Sequence, residues 1–216
     1  MTVYEKETIC QLLASLFCPP DQEMVEQIRD GSFYSFLQTW VRSCGWDSSL
    51  LDGFLMKGDP EILLIDLREE YDRLFSELSR EGGISLEESS YKPWTLDPHC
   101  PLPFASERGL LMGDSALHLL EVFRQCSLEV SDDKRGTPDH LAVELDFLSY
   151  LYRYGTDLEV RQFMNDHLDW IPLLNEKMDK AHPHSFYISA LEVLELFLGK
   201  ERERLEGRGY GEKAIH

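Results

Sequence analysis

The chain has 216 residues, 43% of them hydrophobic, enough to bury a core in one domain or in two closely joined lobes. Its 21 Lys and Arg stand against 40 Asp and Glu, and the resulting formal charge of -19 repels nucleic-acid backbones and anionic membranes. The same field attracts a cationic peptide, although an acidic surface also serves solubility alone.

Thr2 and Glu5 form a capping-box pattern ahead of Ile9, Leu12, Leu13, Leu16 and Phe17, and Pro19 and Pro20 stop that first amphipathic helix. Helices are expected next at about 21–30, 32–44, 47–57 and 60–80, punctuated by Gly31, Gly45 and Gly58. Residues 81–105 hold Pro93, Pro98, Pro101 and Pro103 with Gly82 and Gly83, which exclude an ordinary helix. The aromatic and apolar Tyr91, Trp94, Leu96 and Phe104 argue that this long loop packs on the body.

Helix resumes at about 105–127, with Leu110, Leu111, Ala116, Leu119, Leu120 and Phe123 facing inward, and "SLEVSDDKRG" reads as a polar connector. Thr137 as N-cap and Pro138 at the first helical position open the next helix, with Leu141, Leu145, Leu148, Leu151 and Tyr152 as its stripe and Gly155 as its end. Two more helices follow, at about 156–181 with a break near Pro172 and at about 184–205 with the stripe Ile188, Leu191, Leu194, Leu198. No period-two alternation supports a sheet.

The expected fold is therefore all-α, a bundle of about nine to ten helices. It divides into an N-terminal lobe of about 1–127, a hinge at 128–137, a C-terminal lobe of 138–205 and a flexible tail at 206–216. No run reaches the ~18 apolar residues that cross a bilayer, so direct membrane insertion is not expected. "MTVYEKETIC" is charged where a signal peptide is apolar, and the expected compartment is the cytoplasm.

Asp139 and His140 would lie in a first helical turn, where free N–H groups favour a carboxylate. They either cap that helix or anchor a bound segment. A catalytic reading needs a nucleophile beside them, and no Ser or Cys stands there in a recognised motif. Cys10, Cys18, Cys44, Cys100 and Cys126 form no C-x-x-C pair, and His99, Cys100, His182 and His184 lack metal-ligand spacing. The carboxylate pairs Glu87–Glu88 and Asp132–Asp133 fall in connectors expected to be solvated, where burial would not tune an acid.

Three pieces in fixed order, "EEYDRLF", "YKPWTLDPHCPLPFASERGLLMG" and "TPDHLAVELDFLSYLY", resemble the TorD/DmsD/NarJ family of chaperones that mature redox enzymes. The resemblance implies an all-helical, non-catalytic protein. It also implies a partner: the twin-arginine signal peptide and catalytic subunit of a molybdenum- or tungsten-type oxidoreductase, held until cofactor insertion and assembly precede export.

Carried over by motif, the implied peptide-binding residues are Tyr71 and Phe75 on one helix, Trp94, Pro103, Phe104, Ser106 and Glu107 in the loop, and Asp139 with His140, and the apolar Leu96 is expected beside Trp94 and Phe104 under the client's apolar stretch. Many relatives carry an acidic residue just before the Pro-Asp-His run, where this chain has Arg135, Gly136 and Thr137. The resemblance names no client. Some relatives bind guanine nucleotides weakly, but no phosphate-cradling glycine loop is visible in this chain, so no cofactor is expected. A connector between lobes also permits a domain-swapped dimer beside a monomer. The rival readings are a helical scaffold subunit of a stable complex and an enzyme built on His140 and Asp139.

Overall fold

The computed structural model describes residues 1–76, 83–131, 134 and 136–209, without the side chains of 208 and 209. Nine α-helices occur among them: α1 Val3–Leu16, α2 Gln22–Arg29, α3 Ser32–Ser43, α4 Pro60–Phe75, α5 Asp114–Gln125, α6 Leu141–Tyr154, α7 Asp157–His167, α8 Ile171–Ala181 and α9 Ser185–Gly209. Two 3-10 helices, Ser48–Phe54 and Glu88–Ser90, complete the set. The chain is all-helical as expected, with no strand among the described residues and one isolated antiparallel bridge between Glu87 and His140.

Local chemistry sets most of the helix ends. The Thr2 hydroxyl accepts from the Glu5 amide at 3.2 Å, while the Glu5 carboxylate accepts from the Thr2 amide at 2.6 Å, which closes the expected box on α1. Asp59 caps α4 by accepting from the Glu61 amide, and Pro60 opens that helix, where its missing N–H costs nothing. Thr156 and Glu159 form a second box on α7.

Several boundaries differ from the sequence reading. The expected helix at 47–57 is the 3-10 segment Ser48–Phe54, which lies against α9. Gly53 makes that approach possible: a Cβ there would sit 2.1 Å from the Ser185 carbonyl oxygen, and its amide donates to Ser189 Oγ. The helix expected from about 105 starts at Asp114, because the Ala105 and Glu107 carbonyls accept from Thr95 and Trp94. Leu111 is accordingly 47% exposed rather than inward. Ile188, expected in the buried stripe of the last helix, is 44% exposed, and Phe186, Tyr187, Ala190 and Phe197 are buried there with Leu191, Leu194 and Leu198.

The tail expected to be flexible from 206 is helical to Gly209. Residues beyond 209, the end of the expected 60–80 helix past Ser76, and Asp132, Asp133 and Arg135 lie outside the described residues.

One hydrophobic cluster runs through the helices, and its most extensive helix pair is α1 on α6. Ile9, Leu13 and Leu16 meet the fully buried Leu141, Leu145 and Leu148 in that cluster, each such burial being worth roughly 1.5–3 kcal/mol. The expected boundary at 128–137 thus falls between helices that share a core.

A charge network closes the far end of this pair. Lys6 of α1 lies 2.6 Å from Glu201 of α9, which also accepts from the Tyr152 hydroxyl at 3.0 Å and pairs with Arg204 at 2.9 Å. Arg204 reaches Asp157 of α7 at 2.8 Å. Burial lowers the Lys6 ammonium, and the Glu201 carboxylate works against that. Removing one member of a buried pair strands the others' charge. Glu201→Ala is therefore expected to lose about 3–5 kcal/mol in denaturant unfolding, whereas Glu203→Ala on the exposed face of α9 stays within about 0.5 kcal/mol.

Candidate functional site

The Thr-Pro-Asp-His stretch does not open a helix as expected. His140 is the N-cap of α6, its Nδ1 accepting from the Ala142 amide at 3.1 Å, and helix begins at Leu141. The turn before it is held elsewhere: the His140 amide donates to the Thr137 carbonyl, and the Leu141 amide donates to the Leu86 carbonyl at 2.8 Å. The Glu88 amide donates to the Asp139 carbonyl at 2.9 Å. Asp139 itself is 1% exposed, and its Oδ2 accepts from the Ser89 amide at 2.8 Å and from the Ser89 hydroxyl. Its carboxylate therefore caps the short 88–90 turn, not its own helix.

This pairing draws Glu88 inside. The expectation of a solvated Glu87–Glu88 connector is corrected: Glu88 is fully buried. His167 Nδ1 lies 2.9 Å from Glu88 Oε2, and the Lys92 ammonium lies 2.5 Å from Glu88 Oε1 and 2.6 Å from Asp169. Burial alone would raise the Glu88 carboxyl, but His167 and Lys92 outweigh it and hold it below the usual carboxylate range. Glu144 of α6 is also fully buried, and Trp170 Nε1 donates to it at 3.1 Å. Burial, followed by the charges of Glu88 and Asp139, pushes the Glu144 carboxyl well up, so it keeps its proton beside ionised Glu88.

Ligand atoms of Glu88, Glu144 and His167 fall within 4.8 Å of one another, unlike those of His99, Cys100, His182 and His184. The cluster is paired from within, since Lys92 supplies its cation and Trp170 a donor. His118 joins from the outer side, its Nδ1 2.8 Å from His167 Nε2. One signal for this cluster was legible: Glu144 stands on the apolar stripe of α6, where a carboxylate demands a partner. Its partners could not be read, because Glu88 and His167 arrive from other elements.

The loop that follows is braced on itself and on α5. Trp94 and Phe104 pack edge to face at 5.2 Å, and the Trp94 and Thr95 amides donate to Glu107 and Ala105. Asp114 at the start of α5 accepts from the Thr95 hydroxyl and the Leu96 amide, while its own amide donates to the Trp94 carbonyl. A Cβ on Gly113 would stand 2.7 Å from that carbonyl oxygen, so the glycine permits the close approach. At its base, Tyr91 stacks on Trp170 with centroids 4.8 Å apart.

The ten residues singled out from sequence thus occupy three environments. Leu96, Pro103, Ser106 and Glu107 are exposed, Leu96 at 78%, and Trp94 and Phe104 are half-buried beside them. Asp139 and His140 are buried beneath the base of the loop. Tyr71 and Phe75 are half-buried against Tyr187 of α9, with centroids 6.5 and 5.5 Å away. The five cavities described in the surface lie elsewhere: none is lined by any of the ten, and Asp146 lines two of them. No described helix is long and apolar enough to cross a membrane.

The profile of the family described as nitrate reductase delta subunit matches residues 46–176. Three curated relatives are each named Chaperone protein TorD. The one from Vibrio atlanticus is 30% identical over 127 residues, 51% of this chain and 59% of the relative. The one from Shewanella piezotolerans is 24% identical over 205 residues, 93% of this chain and 92% of the relative. The one from Vibrio parahaemolyticus is 29% identical over 117 residues, 47% and 54% of the two chains. Two of these alignments span less than two thirds of the relative's own length. A relative named as a chaperone agrees with the expectation of a non-enzymatic protein.

The retained proton on Glu144 has a measurable consequence. Its folded value lies above the ordinary 4.5, so between the two the fold holds a proton that the unfolded chain has released, and the stability tied to it is lost as pH rises from 4.5 through the folded value. Glu144→Gln keeps a neutral acceptor for Trp170 and removes the proton. Denaturant unfolding across pH is expected to show wild type losing stability relative to Glu144→Gln as pH rises; parallel curves would contradict a protonated Glu144.

Proposed function

The chain belongs to the nitrate reductase delta subunit family, and from that premise we propose that it is a cytoplasmic chaperone for the maturation of a redox enzyme. Its client is the catalytic subunit of a molybdenum- or tungsten-type oxidoreductase. The protein holds that subunit, its twin-arginine signal peptide, or both while cofactor insertion and assembly precede export. The observation that carries this reading is the alignment with the Shewanella chaperone along nearly the whole of both chains. A net charge of -19 supports a cationic segment as part of the client.

The sequence-selected residues then divide by role. The exposed side of the loop, with Leu96, Pro103, Ser106 and Glu107 over the Trp94–Phe104 pair, is a contact surface for the client. Asp139 and His140 position that loop from below. Tyr71 and Phe75 flank the same body and contribute through packing. Affinity comes mainly from apolar contact, because exposed ion pairs are worth only ~0–1 kcal/mol each. The acidic surface contributes encounter rate and choice of partner.

Titration calorimetry with a synthetic peptide carrying paired arginines before an apolar stretch tests the reading. The wild-type chain is expected to bind it, more weakly as salt rises, and to bind a scrambled peptide of equal composition at least about tenfold less well, a difference of about 1.4 kcal/mol. Equal affinity for the two peptides would overturn it.

A further inference from the structure

Two surface cavities meet at one carboxylate. The first, of about 330 Å³, lies between α5, α6 and residues 128–131, and its wall is aromatic and aliphatic: Phe123, Leu128, Val130, Val143, Phe147 and Tyr150. The rings form a ladder from the core outward, Phe123 to Phe147 at 4.9 Å, Phe147 to Tyr150 at 5.7 Å and Tyr150 to Tyr154 at 4.9 Å. The second cavity, of about 350 Å³, lies beside α1 and α2 and is lined by the carboxylates of Asp21, Glu23 and Asp146 among polar neighbours. Asp146 lines both, and Glu129 adds a further acid to the first.

No lysine or arginine lines either cavity. Two buried acids of this chain have their own cations, Lys92 for Glu88 and Lys6 with Arg204 for Glu201, and Asp139 and Glu144 are met by hydrogen-bond donors. Asp146, exposed where the two cavities share it, has no such cation among the described residues, and desolvation by its neighbours pushes its carboxyl up to about 6. An exposed carboxylate beside an apolar wall and without a counter-charge gains from a cation supplied from outside.

We propose that these joined cavities are the docking groove for a segment in which basic residues adjoin an apolar stretch, the apolar part on the Phe123–Phe147–Tyr150 wall and a basic residue on Asp146. This rests on the chaperone reading and deepens it. It assigns the cationic leader of the client to a groove on the α1–α6 side, and leaves the Trp94–Phe104 loop for the rest of the client. The juxtaposition sets the order: an apolar cavity next to a carboxylate-lined one matches a ligand whose apolar and cationic parts are consecutive, and neither cavity alone would select it.

The test is fluorescence polarisation with a labelled peptide of paired arginines followed by an apolar stretch, using the full chain and four variants. Asp146→Lys and Val143→Trp change the groove, Glu107→Lys reverses a charge on the loop, and Asp52→Lys reverses one elsewhere on the surface. Circular dichroism establishes that each variant folds, and Asp146→Asn serves in place of Asp146→Lys if that one does not. Asp146→Lys and Val143→Trp are expected to weaken binding by about tenfold or more, the first because like charge then meets the peptide's arginines, with Asp52→Lys near wild type and Glu107→Lys losing less than Asp146→Lys. Full affinity in Asp146→Lys with loss in Glu107→Lys would overturn the groove and leave the chaperone reading standing. Absence of binding to wild type would overturn both. A wild-type dimer in light scattering that Val143→Trp dissociates and the peptide does not would assign the groove to a second copy, and so overturn the proposal.

Discussion

The contact on which this architecture turns is the one between Asp139 and Ser89. An aspartate with 1% exposure receives the Ser89 amide and hydroxyl, and the flanking backbone pairs on either side, Glu88 to Asp139 and Leu141 to Leu86. These bonds join a segment ahead of the proline-rich loop to the start of α6. Once they form, Glu88 has no route to water, and Lys92 and His167 must answer its charge. Lys92 in turn reaches Asp169 and the Asp166 carbonyl, which ties the base of the loop to the end of α7. Buried charge answered by such partners favours one arrangement, because removing a partner would leave an ion stranded.

What could be read from the sequence was what neighbours along the chain decide. The Thr2–Glu5 box, the start of α4 at 60, the Gly155 end of α6 and the leucine stripe of α6 all depend on residues within a few positions of one another, and each was found where expected. What was misread depends on distant partners. Thr137 and Pro138 carry the composition of a helix start, yet the tertiary bonds at Leu86, Glu88 and Ser89 move that start to Leu141. Residues 105–113 have a helical apolar pattern, but the preceding prolines turn the chain back so that it pairs with Trp94 and Thr95. Glu88 looked solvated because the partners that enclose it, Asp139 and His167, stand far along the chain, the second 79 positions away.

The same distinction bears on the candidate site. Family likeness drew attention to Asp139 and His140, and both are buried, Asp139 on Ser89 at the base of the loop. The two surfaces proposed for contact are the exposed flank of that loop and the cavities that share Asp146. These differ in chemistry. The loop offers proline, Leu96 and Glu107 on a braced aromatic pair. The cavities offer an aromatic wall and acids without cations. The proposed recognition of both a leader and the body that follows would use two such surfaces, while Lys6, Lys92 and Arg204 are paired internally.

Hydrogen–deuterium exchange on Asp139→Ala is the most direct measure of the Asp139 staple. Loss of the carboxylate should release the amides of Glu88, Ser89 and Leu141 and, with them, those of Trp94 and Thr95 in the loop, while α9 keeps its protection. If the loop amides exchange in the variant as slowly as in wild type, the loop is held by its own packing, and Asp139 is not the contact on which it depends.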